Sequence, residues 1–228
     1  MCKFKSAIIL KDRVFVPDYD HHTDMLEELG IADTRENAER LFVRAELIPL
    51  NDDVFSNIDD WYFNVDQDIQ PEWFVAEYEK QRMIKAVKGW AETHIHIGIN
   101  GLKIESGKNH YIKDCKNVVV ENSTVKACGN STVKAWDNST VEACGNSTVK
   151  AWDNSTVKAC GNSTVKACGN STVKAWDNST VVKPQYSSFK TSRLILCQNA
   201  TFKDCVAKTI YQSGDYKLVS VTDGKVGL

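Results

Sequence analysis

Nothing in this chain approaches the ~20 consecutive apolar residues that a membrane-spanning helix requires. The N-terminal apolar run, Ala7-Ile8-Ile9-Leu10, is too short for the core of a secretory signal. A soluble, intracellular protein without a membrane partner is expected, and in that compartment its eight cysteines remain thiols. None of them forms a Cys-x-x-Cys pair, which argues against a zinc ribbon or a thioredoxin-type site. Gly-x-Ser-x-Gly, a phosphate-cradling glycine loop and His-Glu-x-x-His are also missing. The reading is therefore of a protein that is not an enzyme, with no catalytic residue and no cofactor.

Lysine is missing from residues 17–79, where 18 acidic residues face three arginines, a net of −15. Residues 80–228 hold 21 basic residues against 11 acidic ones, a net of +10. Such polarity implies two bodies with different surfaces. It serves head-to-tail self-attraction or a charged partner. The plainer account is an acidic domain on a lysine-rich scaffold.

What the chain has in abundance is one octapeptide. Asn-Ser-Thr-Val-Lys-Ala, followed by Cys-Gly or Trp-Asp, starts at Asn122 and recurs without a gap to Thr180. A short fixed period specifies a stacked solenoid. Within each octad the β-branched residues favour a strand, and alternation puts Ser, Val and Ala on one face. The small, apolar set belongs inside. Thr, Lys and the Cys or Trp then face out, including Lys126, Lys134, Lys150, Lys158, Lys166, Lys174, Trp136, Trp152 and Trp176. Gly-Asn and Asp-Asn tolerate left-handed turns, and each Asn amide is expected to bond the Asn one coil away.

The seventh octad position reads Cys128, Trp136, Cys144, Trp152, Cys160, Cys168, Trp176. Two octads per coil stack like on like; three would mix them. Sixteen residues per coil is therefore preferred over twenty-four. Asn109–Cys115 and Asn199–Cys205 echo the octad as degenerate end repeats, as exposed rungs require. The aromatic-rich tail reads as a C-terminal β cap or a dimerisation segment.

Upstream, Ser6–Val16 reads as a hairpin, Thr23–Leu29 as a short helix, and Leu41–Leu50 and Trp61–Val65 as strands. Pro71 and the spacing of Trp73, Phe74, Tyr78, Met83, Ile84, Val87 and Trp90 predict a helix over 71–92. His94–Ile99, the Asn100-Gly101 turn and Leu102–Ile104 read as a last hairpin. The fold class is mainly β: an acidic α/β head (1–105), an octapeptide-repeat β-solenoid (106–183), and the cap or dimerisation segment (184–228).

Candidate sites follow from charge. Asp52, Asp53, Asp59, Asp60, Asp66 and Asp68 form the candidate partner surface of the head. The Lys and Trp rows of the solenoid could cradle phosphates and stack bases or sugars. His94 and His96 share a strand face and, with Asp18, Asp20, His21 and His22, are the candidate metal ligands. An exposed hairpin face is the simpler account of the histidines, and no metal is expected.

The octads, with the entry segment Tyr111–Val118 and the segments 16–20 and 64–69, resemble uncharacterised bacterial and phage-associated proteins. In those a small α/β domain precedes Asn-Ser-Thr-Val octads. The resemblance implies a bacterial host cytoplasm but no activity. The sixteen-residue period is also similar to that of ice-nucleation proteins, although Lys or Glu stands where their second Thr would be. The expectation is a non-enzymatic solenoid that binds a macromolecular partner, as a homo-oligomer such as a homodimer. The alternatives are an anti-CRISPR-like antagonist whose head blocks a host protein's nucleic-acid groove, nucleic-acid or glycan binding through the Lys/Trp rows, and ice binding.

Overall fold

The computed structural model describes residues 5–107, 109–188, 194–205, 209–212, 221–222 and 225–226. Two compact units divide between Ile95 and His96.

In the first unit, β1 (Lys5–Leu10) and β2 (Val14–Phe15) form the expected hairpin. Helices α1 (His22–Glu28) and α2 (Arg35–Arg40) follow, then β3 (Phe42–Ile48), β4 (Tyr62–Val65) and α3 (Ala76–His94). The strands make an antiparallel sheet in the order β2-β1-β3-β4. Alternation gives this sheet two apolar faces. Ala7, Ile9, Val43, Ala45 and Leu47 cluster with Met83, Ile84 and Val87 of α3. Ile8 and Phe42 cluster with Met25, Leu26 and Ala38 of α1 and α2.

Two sequence readings of this unit need correction. The long helix starts at Ala76, not at Pro71: Phe74 N bonds Pro71 O at 2.9 Å in a single turn, and Val75 is extended. Its other end runs to His94, so His94 closes a helix and does not share a strand face with His96. The sequence reading also overlooked α2, which is capped by the Thr34 side chain accepting from Asn37 N.

The hairpin expected over 94–104 does not form. β5 (Ile95–Ile97) and β6 (Lys103–Ile104) lie in different solenoid sheets. Gly98 and Gly101 turn the chain at φ +68° and +80°. Their N–H groups bond Lys113 O and Lys116 O, one coil further on.

The second unit is the β-solenoid. After β7 (His110–Lys113) and β8 (Val118–Glu121) come the octad strands β9 (Thr124–Cys128), β10 (Thr132–Trp136), β11 (Thr140–Ala143) and β12 (Thr148–Ala151). β13 (Thr156–Ala159), β14 (Thr164–Ala167), β15 (Thr172–Ala175) and β16 (Thr180–Lys183) complete the array. Odd strands stack in one parallel sheet and even strands in the other. Thr132 pairs with Thr148 and Thr140 with Thr156, so one coil is sixteen residues. The degenerate ends belong to the same sheets: β7 lies between β5 and β9 in the odd one, while β17 (Leu194–Leu196) and β18 (Thr201–Asp204) extend both. β19 (Thr209–Gln212) pairs antiparallel on β18 and breaks the parallel stacking. Of the tail's aromatic residues, Phe202 lies on β18 and Tyr211 on β19, whereas Phe189 and Tyr216 lie outside the described residues.

Inside, the Ser, Val and Ala columns are fully buried. Serine hydroxyls bond at the corners, as where Ser131 donates to Cys128 O at 2.7 Å and Ser139 to Trp136 O at 2.6 Å, while Ser171 Oγ is buried without a partner among the described residues. Outside, Asn138 donates to Asn122, Asn146 to Asn130 and Asn162 to Asn146, the expected amide ladder.

Candidate functional site

The outward lysines do not form one row. On the even sheet Lys134, Lys150 and Lys166 stand in register on β10, β12 and β14. On the odd sheet the column reads Lys126, Glu142, Lys158, Lys174, and Glu142 neutralises it locally by bonding Lys158 at 3.1 Å. Lys134, Lys150 and Lys166 are exposed, and none pairs with a carboxylate among the described residues. Like charges directly opposite each other on neighbouring strands repel. The even face therefore holds three unneutralised charges at the ~4.8 Å rung spacing.

The tryptophans divide in the same way. Trp136 and Trp152 stack beside the even lysines, ring centroids 4.2 Å apart and planes within 6°. Trp176 stands alone on the odd face under Lys174, whose Nζ lies 4.8 Å from its ring centroid. Cys168 continues the Trp136–Trp152 column, since Cys168 N bonds Ala151 O. The even face thus combines a flat, half-buried aromatic patch with a lysine column. The adjoining turns carry Asp137 and Asp153 on exposed left-handed backbone, leaving the positive charge along the strand centres.

The head aspartates fall into two groups. Asp52, Asp53, Asp59 and Asp60 lie on the two 3-10 turns between β3 and β4. There Asp59 pairs with Lys88 at 2.7 Å, and Asp53 Oδ1 accepts from Phe55 N. Asp66 and Asp68 follow β4, beyond the other end of that strand, since Ile48 pairs with Tyr62 and Ala45 with Val65. Asp66 lines an open cleft of about 510 Å3 with Asp20, His22, Asp33, Arg44 and Glu46. In the cleft the ligand atoms of His22, Glu46 and Asp66 lie within 4.8 Å of one another, a set that could hold a cation. The same atoms already have partners in the protein. His22 Nδ1 is 3.2 Å from Asp66 Oδ2, its Nε2 3.3 Å from Ala45 O, and Glu46 accepts from Asn64.

The histidines expected to act together do not meet. His94 stacks on Trp90, with Nδ1 at 2.9 Å from Trp90 O and Nε2 at 2.9 Å from Asp18. His96 stacks on His110. Of the three residues whose ligand atoms converge in the cleft, Glu46 is the one that sequence reasoning missed. The alternation of β3, which puts Arg44 and Glu46 on the face opposite Val43 and Ala45, could have found it.

Among the described residues no helix is long and apolar enough to cross a membrane. Comparison of the chain with family models, with curated proteins and with solved structures finds no match.

Proposed function

We propose that this is a non-enzymatic binding protein that captures a polyanionic macromolecule, single-stranded nucleic acid foremost, on the even face of its solenoid. The observation that carries this reading is the in-register, unneutralised column of Lys134, Lys150 and Lys166 beside the Trp136–Trp152 stack. A phosphate backbone relieves the mutual repulsion of the lysines, and the indoles give bases an apolar surface. The test is fluorescence anisotropy of a labelled single strand across a salt series. Three phosphate contacts give a slope of about −2 in log affinity against log salt. Changing Lys134, Lys150 and Lys166 to Glu should abolish binding. Retention of full affinity by that variant, or no binding by the parent at low salt, would sink the proposal.

A second reading rests on the acidic head: 18 carboxylates against three arginines in residues 17–79 suit the basic groove of a nucleic-acid-binding host protein. The likeness of the octads to phage-associated proteins supports an antagonist of that kind. Charge reversal at Asp59, Asp60, Asp66 and Asp68 should then empty a pull-down from bacterial lysate. Capture unchanged by those substitutions would remove the reading. Light-scattering mass in low and high salt separates both from head-to-tail self-association, which only the intact charge polarity supports.

A further inference from the structure

The odd face carries a different chemistry. Cys128, Cys144 and Cys160 stand one above another, with Cys144 N bonding Ala127 O and Cys160 N bonding Ala143 O, each at 2.8 Å. All three are free and half-buried, and Sγ of Cys160 lies 2.8 Å from Sγ of Cys144. Lys113 pairs with Cys128 at the start of the column, and Trp176 follows Cys160. Packing does not demand thiols here, because the seventh octad position accepts tryptophan at Trp136, Trp152 and Trp176.

We propose that Cys144 is a peroxide-reactive thiol, resolved by Cys160 into a reversible disulfide between adjacent coils. The proposal is independent of nucleic-acid binding on the even face. In the first step the Cys144 thiolate attacks one peroxide oxygen. The O–O bond breaks, hydroxide leaves and takes a proton to become water, and Cys144 becomes a sulfenic acid. In the second step Cys160 loses its proton, its sulfur attacks the Cys144 sulfur, and a second water departs as the S–S bond forms. Two thiols are oxidised and one hydrogen peroxide is reduced to two waters.

Three features of the column support these roles. The nucleophile must be a thiolate. Hydrogen bonding from Cys128 holds Cys144 down to about 6, with the Cys160 thiol and Lys126 helping and burial opposing. Cys160 is pushed up to about 12 by burial first and then by its bond to Cys144, so it waits as a thiol. Cys128 is also raised, first by its bond to Cys144. Glu142 and Asp177 are the nearby carboxylates, and they act against ionisation of Cys144 and Cys160 respectively. Neighbouring rungs place Cα atoms ~4.8 Å apart, inside the ~4.4–6.8 Å window for a disulfide.

The test uses the full chain, reduced, freed of reductant, exposed to hydrogen peroxide, alkylated and digested with trypsin. Cleavage at lysine puts Cys144 in peptide 135–150, whereas Cys128, Cys160 and Cys168 lie in peptides of one sequence, Ala-Cys-Gly-Asn-Ser-Thr-Val-Lys (127–134, 159–166 and 167–174), so substitution assigns the partner. The expected product joins 135–150 to one such peptide, disappears on treatment with dithiothreitol, persists in Cys128→Ser and is lost in Cys160→Ser. Cys160→Ser should leave a Cys144 sulfenic acid that dimedone traps. Cys144→Ser should abolish both species, and Cys168→Ser, on the other sheet, neither. Matching thermal melts establish that each variant is folded. Unreacted thiols at Cys144, or a disulfide that persists in Cys160→Ser and is lost in Cys128→Ser, would overturn the assignment.

Discussion

At the last octad position the backbone adopts left-handed conformations that glycine accepts freely and Asp tolerates. On the odd face Gly129, Gly145 and Gly161 stack there, and a Cβ on Gly145 would lie 3.1 Å from Gly129 O. Gly98 has nearly the same φ but open space around it. Gly98→Ala should therefore cost only the left-handed penalty of about 1–2 kcal/mol. Gly145→Ala should lose more, because backbone and not a movable side chain opposes the new methyl. Thermal melts of the two variants measure the difference, and equal losses would mean that the coils can part. That these positions turn was legible in the Gly-Asn and Asp-Asn dipeptides. That glycines stack on glycines followed once sixteen residues closed a coil. The pairing of His22 and Asp66 with Glu46 was not legible, because it depends on how α1 lies over one face of β3.

Among the elements, the octad strands were the most readable. Each repeats one inside–outside pattern, and the same partners recur one coil above and below. Readings failed where coil geometry overrides local pattern. Asn100-Gly101 looks like a two-residue hairpin turn, but β5 and β6 find better partners in the next coil. Helix α2, six residues long, offers only the Thr34 cap and the Arg35–Glu39 and Glu36–Arg40 pairs as signals. The aromatic column tests the coupling between elements. Trp136 on β10 and Trp152, just past β12, touch only because two octads close one coil. A double-mutant cycle with Trp136→Ser and Trp152→Ser should return a coupling of about 0.5–1.5 kcal/mol in chemical denaturation. Coupling near zero would show that the rings merely lie side by side.

For the molecule as a whole, repetition allows lysine spacing and tryptophan stacking to be separated by deletion. Each coil contacts only its neighbours, so removing one whole coil leaves the others in place. Deleting residues 146–161 removes Lys150 and Trp152 from the even face, leaving Lys134 above Lys166 and Trp136 above Cys168. Deleting only 146–153 shifts every later strand to the opposite sheet, where the Ser, Val and Ala columns are the same. The even column then reads Lys134, Lys158, Lys174, still three lysines in register, while Cys160 separates Trp136 from Trp176. If phosphates bind the lysine column, the octad deletion should keep the salt slope of the parent. The coil deletion should make it shallower by about 0.7, one phosphate contact to a single strand. Both deletions should lose the coupled-indole signal in near-ultraviolet circular dichroism. Identical slopes in all three proteins would place the binding charge elsewhere, and a slope lost equally in both deletions, although the octad deletion keeps three lysines in register, would assign recognition to the stacked tryptophans.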